Sequence, residues 1–221
     1  MCSRAWLRVR GDMQQPAKSK RPRLREQQKQ LTLALLRDAA RELFYARGYD
    51  PVSIDDIAAH AGVSRGTLYL HFSSKLEVLG CVLRDDLADQ ARVYDELADH
   101  RHTTVAEMRE WIAHFRAQIE RRYGSLHLFP LYFSQVPDDF YLIHEHREHA
   151  IEKLGSVYPG FDLRGHTGQV REVRRTKIYL MLFEIEQATH YFDTVPGSPS
   201  MEVALDILAE RFFAFCYPDG P

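Results

Sequence analysis

Three serines, Ser53, Ser64 and Ser74, each precede a short apolar pattern of helical period, and Gly62 falls between the first two. A hydroxyl just ahead of a helix accepts a backbone N–H that the first turn leaves without a partner. Three helix starts therefore crowd into one short stretch, and the two helices between them have about two turns each. Helices that short do not persist alone in water, so they must pack on each other and on a longer neighbour.

The apolar pattern supplies both. Ser53-Ile54-Asp55-Asp56 offers a hydroxyl with an acid three residues on, and Ile54, Ile57, Ala58 and Ala61 share one face behind it. Gly62 then allows a tight turn at little steric cost. Ser64 caps a third helix expected to run from Arg65 to about His71. Ser74-Lys75-Leu76-Glu77 reads as a capping box opening a fourth, with Leu76, Leu79, Leu83 and Leu87 along one face. Upstream, Leu33, Leu36, Ala40, Leu43 and Phe44 recur at helical spacing from about Gln30, and Gly48 follows as a stop. A short helix, a glycine turn and a second short helix inside a three-helix block is the helix-turn-helix pattern. Its second helix would turn Arg65, Thr67, Tyr69 and His71 outward, groups that can reach base edges and phosphates. Ala58, Ala61, Val63 and Leu68 are small or apolar enough for the pair to cross closely.

Residues 30–79 also resemble the DNA-binding domain of TetR-type transcriptional regulators. The resemblance is carried by Ser53 to Ala58, by Ala61-Gly62-Val63-Ser64-Arg65-Gly66-Thr67-Leu68-Tyr69, and by His71-Phe72 and Ser74-Lys75. It implies that Ser53 and Tyr69 touch phosphates, and that Arg65, Gly66 and Thr67, behind the Ser64 cap, form the base-facing start of the recognition helix. It also implies that His71 lies against the DNA backbone, that Lys75 contacts a phosphate and that Phe72 is a core aromatic. Two positions depart from the usual pattern: Ile54 directly follows Ser53, and Leu76-Glu77 stands where glutamate more often follows the lysine at once. Beyond these residues, the resemblance implies a homodimer on a palindromic duplex operator, and a ligand pocket in the C-terminal part. The dimer would form through a four-helix bundle built mainly from the last two long helices.

Charge divides the chain in the same way. Residues 1–30 carry nine Lys/Arg against two acids, 31–79 five against six, and 80–221 fifteen against twenty-three. The formal net charge of −2 is thus a cancellation between a basic arm and an acidic body. The expected organisation is a largely disordered arm over 1–29, a DNA-binding head over 30–79 and a helical body over 80–221. Because the head is nearly neutral, the arm is expected to add phosphate attraction of its own. The longest dense apolar run, Ile178 to Phe183, is far too short to cross a membrane. Arg4, Arg8, Arg10 and Asp12 interrupt the N-terminus, so no signal peptide is expected. Three scattered cysteines form neither a disulfide framework nor a metal spacing, which suits the cytoplasm.

The body reads as helical throughout, giving an all-helical fold of about nine helices. Met108, Trp111 or Ile112, Phe115 and Ile119 mark a fifth helix; Pro130 and Pro137 bracket an irregular piece around Leu131 to Phe133. Helices are then expected over 138–157, over 169–192, and after Ser200 as a cap. Met108, Trp111 and Phe115, with Tyr123, Phe129, Tyr132, Phe133, Phe140, Tyr141 and Tyr158, are candidates for lining an apolar effector pocket; core packing is the competing reading. Ile178, Met181, Ile185, Ala188 and Phe192, with Leu205, Leu208, Phe212 and Phe215, are candidates for the dimer surface. His144, His149, Glu186 and His190 are weak candidates for a divalent metal, lacking the His-Glu-x-x-His order, and no cofactor is expected. No serine or cysteine sits in a nucleophile setting. A helical enzyme or carrier would leave residues 53–75 unexplained; a helix-turn-helix protein acting mainly through protein contacts is the nearer alternative.

Overall fold

The computed structural model describes residues 20–122, 128–191, 197 and 199–220, and among them every regular element is helical. The elements run α1 (Lys20–Arg47), α2 (Ile54–His60), α3 (Arg65–Tyr69), α4 (Lys75–Asp99), α5 (Val105–Arg122), α6 (Leu128–Gln135), α7 (Tyr141–Gly155), α8 (Gly168–Tyr191) and α9 (Met201–Cys216). Short 3-10 turns lie at Pro137–Phe140 and Pro159–Phe161.

Two apolar cores share one helix. Leu36, Ala40, Leu43 and Phe44 of α1 close over Ile57, Ala58, Leu68 and Phe72, against Val78, Leu79, Val82 and Leu83 of α4. The far half of α4 sends Val93, Tyr94 and Leu97 into a second core with Met108, Trp111, Ile112 and Phe115 of α5. The same core takes in Ala150, Ile151 and Leu154 of α7, Ile178, Leu182 and Ile185 of α8, and the inner face of α9. At 25 residues, α4 is a rod of about 37 Å that neither core interrupts.

Several expectations are revised. The helix expected from about Gln30 starts at Lys20, so the last third of the expected arm is helical. Lys, Arg, Gln and Glu are good helix formers needing no apolar stripe, and Pro22 sits in the first turn, where its missing N–H costs nothing. The stretch around Leu131 to Phe133 is helical rather than irregular, because Pro130 likewise falls in the first turn of α6. Leu128, Tyr132 and Phe133 of that helix join the first core, not the second. Tyr132 lies flat on α4 at Gly80, where a Cβ would collide with the ring, and its hydroxyl bonds Asp139 beside Arg84. The fourth helix is capped by Ser74 Oγ from Glu77 N at 3.1 Å, but the Glu77 carboxylate reaches back one residue further, to Ser73 N and Oγ at 2.7 Å. Ser200 precedes α9 without making a side-chain cap bond.

The candidate dimer residues are also revised. Ile178, Ile185, Leu205, Leu208 and Phe212 are buried in the chain's own core, with Met181, Ala188 and Phe215 half-buried against it. Phe192 lies outside the described residues. The large apolar groups that α8 and α9 expose are Val170, Val173, Leu180 and Phe183, and Val203 and Ile207. A helix with two apolar faces does not declare by periodicity which one turns inward.

Candidate nucleic-acid interface

Each helix of the 53–75 stretch is set by its own first residue. Ser53 Oγ accepts from Asp56 N at 3.1 Å, while the Asp56 carboxylate accepts from Ser53 N at 2.8 Å and Ser53 Oγ at 2.6 Å. These bonds hold the Asp56 carboxyl below its ordinary range. After α2, Gly62 takes φ +68°, a conformation that L side chains resist, and Val63 N bonds back to Ala58 O at 3.0 Å. Ser64 Oγ then accepts from Thr67 N at 3.0 Å and pairs with the Thr67 hydroxyl at 2.8 Å. The five-residue α3 is thus fixed at its start by Ser64 and underneath by Leu68, which has no exposed surface.

With Leu68 turned in, Arg65, Gly66, Tyr69 and Leu70 turn out, and Thr67 is half-exposed. Arg65 does not wander: its guanidinium donates to Asp55 Oδ2 at 2.7 Å and lies over the Tyr69 ring at 5.5 Å. The hydrogen bond to Tyr69 and the Asp55 charge hold it above its ordinary pKa. Gly66 is not demanded by internal packing, since a Cβ there would make only an ordinary 3.7 Å contact with Ser64 Oγ. His71 is half-buried, and burial, then the charge of Lys29, lowers its pKa. Lys75 turns its ammonium to the carbonyls of Tyr49 (2.9 Å) and Asp50 (3.2 Å), with the Tyr49 ring 4.1 Å away. It ties the start of α4 to the turn after α1, with a third N–H left over. Sequence reasoning missed Asp55 and Leu70. Leu70 is 82% exposed, which its place beyond Tyr69 on the outward face could have shown; the Asp55–Arg65 pair needs the crossing of two helices to appear.

Residues 36–80 match the family model described as bacterial regulatory proteins, tetR family. Over these residues the chain is similar to the DNA-binding domain of TetR-family regulators. Its head is 54% identical over 46 residues to the HTH-type transcriptional regulator SrpR of Pseudomonas putida. That alignment covers 21% of this chain and 22% of the relative. It is also 54% identical over 46 residues to the HTH-type transcriptional activator FasR of Mycolicibacterium smegmatis, covering 21% of each. These alignments span only about a fifth of the relatives' length. A TetR-family transcriptional regulator from Mesorhizobium loti superposes with a TM-score of 0.63 at 18% identity, covering 86% of this chain and 96% of that one, which shows the shared fold.

The candidate pocket residues are divided. Met108, Trp111, Phe115 and Tyr158 are buried in the second core; Tyr132 and Phe133, with Phe129 half-buried beside them, belong to the first. Phe140 and Tyr141 are exposed, and Tyr123 lies outside the described residues. An open depression of about 250 Å³ lies against Trp111, lined by Glu96, His100, His102, Glu110 and His114. The weak metal candidates are not brought together. His149 bonds Asp95 at 2.9 Å, His144 lies between the rings of Phe140 and Tyr179, and the side chain of His190 is outside the described set. Among the described residues no three His, Cys, Asp or Glu converge to hold a metal.

Glu186 has another role. It is buried, accepts from Tyr94 Oη at 3.1 Å, and pairs with the Arg147 guanidinium, which also donates to Tyr179 O at 3.0 Å. Burial pushes the Glu186 carboxyl up. Beside it, both ring nitrogens of His146 are buried without a hydrogen-bond partner. Burial first, then the charge of Arg147, brings that imidazole down to about 3, with only the Leu87 backbone pulling the other way. These groups bring α4, α7 and α8 together across the second core.

Proposed function

We propose that the protein is a homodimeric, sequence-specific DNA-binding transcriptional regulator of the cytoplasm. The observation that carries this reading is the outward face of α3. Arg65, Thr67, Tyr69 and Leu70 stand on a helix anchored behind by Leu68 and capped by Ser64, with Arg65 held ready by Asp55 and Tyr69. An arginine so placed suits guanine O6 and N7, and a leucine suits a thymine methyl. Gly66, free of any internal demand, lets backbone approach the duplex. Ser53, His71 and Lys75 flank this face as phosphate contacts. No helix among the described residues is long and apolar enough to cross a membrane, which accords with work on DNA.

The second copy would dock on Leu180, Phe183, Val203 and Ile207, which are among the apolar groups that α8 and α9 leave exposed. The body would receive a small, largely hydrophobic effector where Trp111 and Phe115 surround Tyr94, with His146 offering a neutral polar contact at the edge. We read the action as repression relieved by that effector. FasR, whose head is so similar, is an activator, so transcription from a reporter with and without the protein decides the sign. The decisive experiment is selection of bound DNA from random duplexes with the full-length chain. A palindrome is expected; recovery of no preferred sequence would leave a helix-turn-helix protein that works through protein contacts instead.

A further inference from the structure

The depression against Trp111 belongs neither to the α3 face nor to the effector site proposed above, and its walls repeat a pattern. Glu96 and His100, at the end of α4, stand four residues apart and share one side of that helix. Glu110 and His114 repeat the pair on α5. The connection 100–104 turns the chain back, and Glu96 lies 3.5 Å from His114. The same antiparallel register sets His100 toward Glu110. The two carboxylates therefore stand on a diagonal, and His102, from the connection, adds a third imidazole to the lining. Trp111 supplies the apolar part. It is only 5% exposed and is fixed in place, its Nε1 donating to Val93 O at 3.4 Å and its ring stacked on Phe212.

The carboxylates of this depression are not neutralised by the chain's own cations. Arg101 donates to Tyr217 Oη at 3.2 Å, and Arg109 pairs with Asp206 and Glu202. Glu110 has no hydrogen bond or ion pair with a described residue. Two negative charges in an acidic body attract a cation. Its kind is decided by the arrangement. No three of the His and Glu side chains converge on one point, so a single metal ion is not gripped by the set. The opening, about 250 Å³, has room for a small organic molecule. Helix geometry puts the backbones of Glu96 and Glu110 roughly 10 Å apart before their side chains reach inward. Charge at two ends and an apolar surface between them match a dication with a hydrocarbon middle.

We propose that this depression binds a small aliphatic diamine, one ammonium on Glu96 and the other on Glu110, with the methylene chain against Trp111. Neutral imidazoles of His100, His102 and His114 accept further N–H bonds. The site is separate from the DNA-binding reading and does not depend on it. Trp111 also packs on Tyr94, at 6.0 Å between ring centroids, so a bound diamine lies one ring away from the site proposed for the effector.

The test is isothermal titration calorimetry of the full-length chain at low salt. The probes are 1,4-diaminobutane, 1,6-diaminohexane, butylamine and zinc chloride, each alone. At least one diamine is expected to bind once per chain and about tenfold or more tighter than butylamine, because its second ammonium binds as part of the same molecule. E96Q and E110Q should each bring the diamine down to the affinity of butylamine, and E96Q/E110Q should abolish binding. E152Q removes the same charge from an exposed position on α7 and should change nothing. Equal affinity for diamine and monoamine, no diamine binding at millimolar concentration, or an equal loss in E152Q would overturn the proposal. Zinc binding that is tighter than either diamine and lost in E96Q/E110Q would also overturn it, making these groups a metal site. Glu96 and Glu110 are exposed, so circular dichroism should show every variant folded as wild type.

Discussion

The two cores of this chain are held by different physics. The first is apolar but for one buried carboxylate, Asp86, which is held where α1 meets α4 by Arg41 and Tyr45, the serine caps lying outside it. The second encloses charge: Glu186 and Arg147 are buried among aromatic rings, beside an imidazole with no hydrogen-bond partner. An apolar core is stabilised by the area it removes from water and tolerates repacking. A core with an enclosed ion pair holds only while the pair is complete. The head is thus built to keep one shape, and the body carries an internal constraint that a polar ligand or a proton can upset.

The sharpest test of that contrast removes one member of the pair. Glu186→Ala strands the Arg147 cation in the body and should cost about 4 kcal/mol in urea unfolding. Replacing both, as Arg147→Met with Glu186→Leu, should recover most of it. If the single variant is as stable as wild type, the body is not held by its charges. Second in size, Gly80→Ala forces a Cβ into the Tyr132 ring and should cost about 2 kcal/mol. Since Tyr132 is the group displaced, a double-mutant cycle with Tyr132→Leu should show strong coupling, and simple additivity would argue against the clasp of α6 on α4.

Acid should draw opposite responses from His146 in the body and Asp86 beside the head, the raised Glu186 carboxyl acting with Asp86. His146 is held near 3, against an ordinary 6.5, so the unfolded chain takes up its proton first and the His146 contribution to body stability falls as pH drops from about 6.5. Between pH 7 and 5 the loss is on the order of 1–2 kcal/mol. Asp86 runs the other way. Burial chiefly raises its carboxyl to about 6, with Tyr45 and Arg41 opposing, so the folded head keeps that proton more tightly. Its contribution improves on acidification through the 6-to-4 window and is lost as pH rises back through it. Hydrogen exchange compared at pH 7 and pH 5 should show protection falling in α7 and α8 before it falls where α1 meets α4. His146→Asn should remove most of the body's response. The smallest effect expected is at the head's edge: Ser53→Ala, which loses the two bonds of the Ser53 hydroxyl but keeps the backbone N–H bond to Asp56, should cost about 1 kcal/mol and speed exchange in α2 alone.

What could be read in the residues follows the same division. Ser53, Ser64, Ser74 and Gly62 act on atoms within a few positions of themselves, so the helix starts and the turn were legible, and with them the outward face of α3. The interior of the body was not. Glu186 lies 39 residues from Arg147, and at helical spacing to His190 it reads equally well as a metal ligand. The aromatic run from Phe129 to Phe140 reads as a pocket wall; only the fold shows that α6 turns its rings toward the head. Ile178 and Phe212 have the period of a helix face, and period alone does not say whether that face meets another helix of the same chain or a second copy.

The place of α6 also bears on the order in which the chain can mature. Val78, Leu79, Val82 and Leu83 face Leu128, Tyr132 and Phe133, which are synthesised some fifty residues later. As the chain leaves the ribosome, α2 and α3 can be complete while one wall of their own core is still missing. A fragment ending after α4 would carry that apolar strip uncovered and should be sticky rather than inert. The working head is therefore a product of almost two-thirds of the chain.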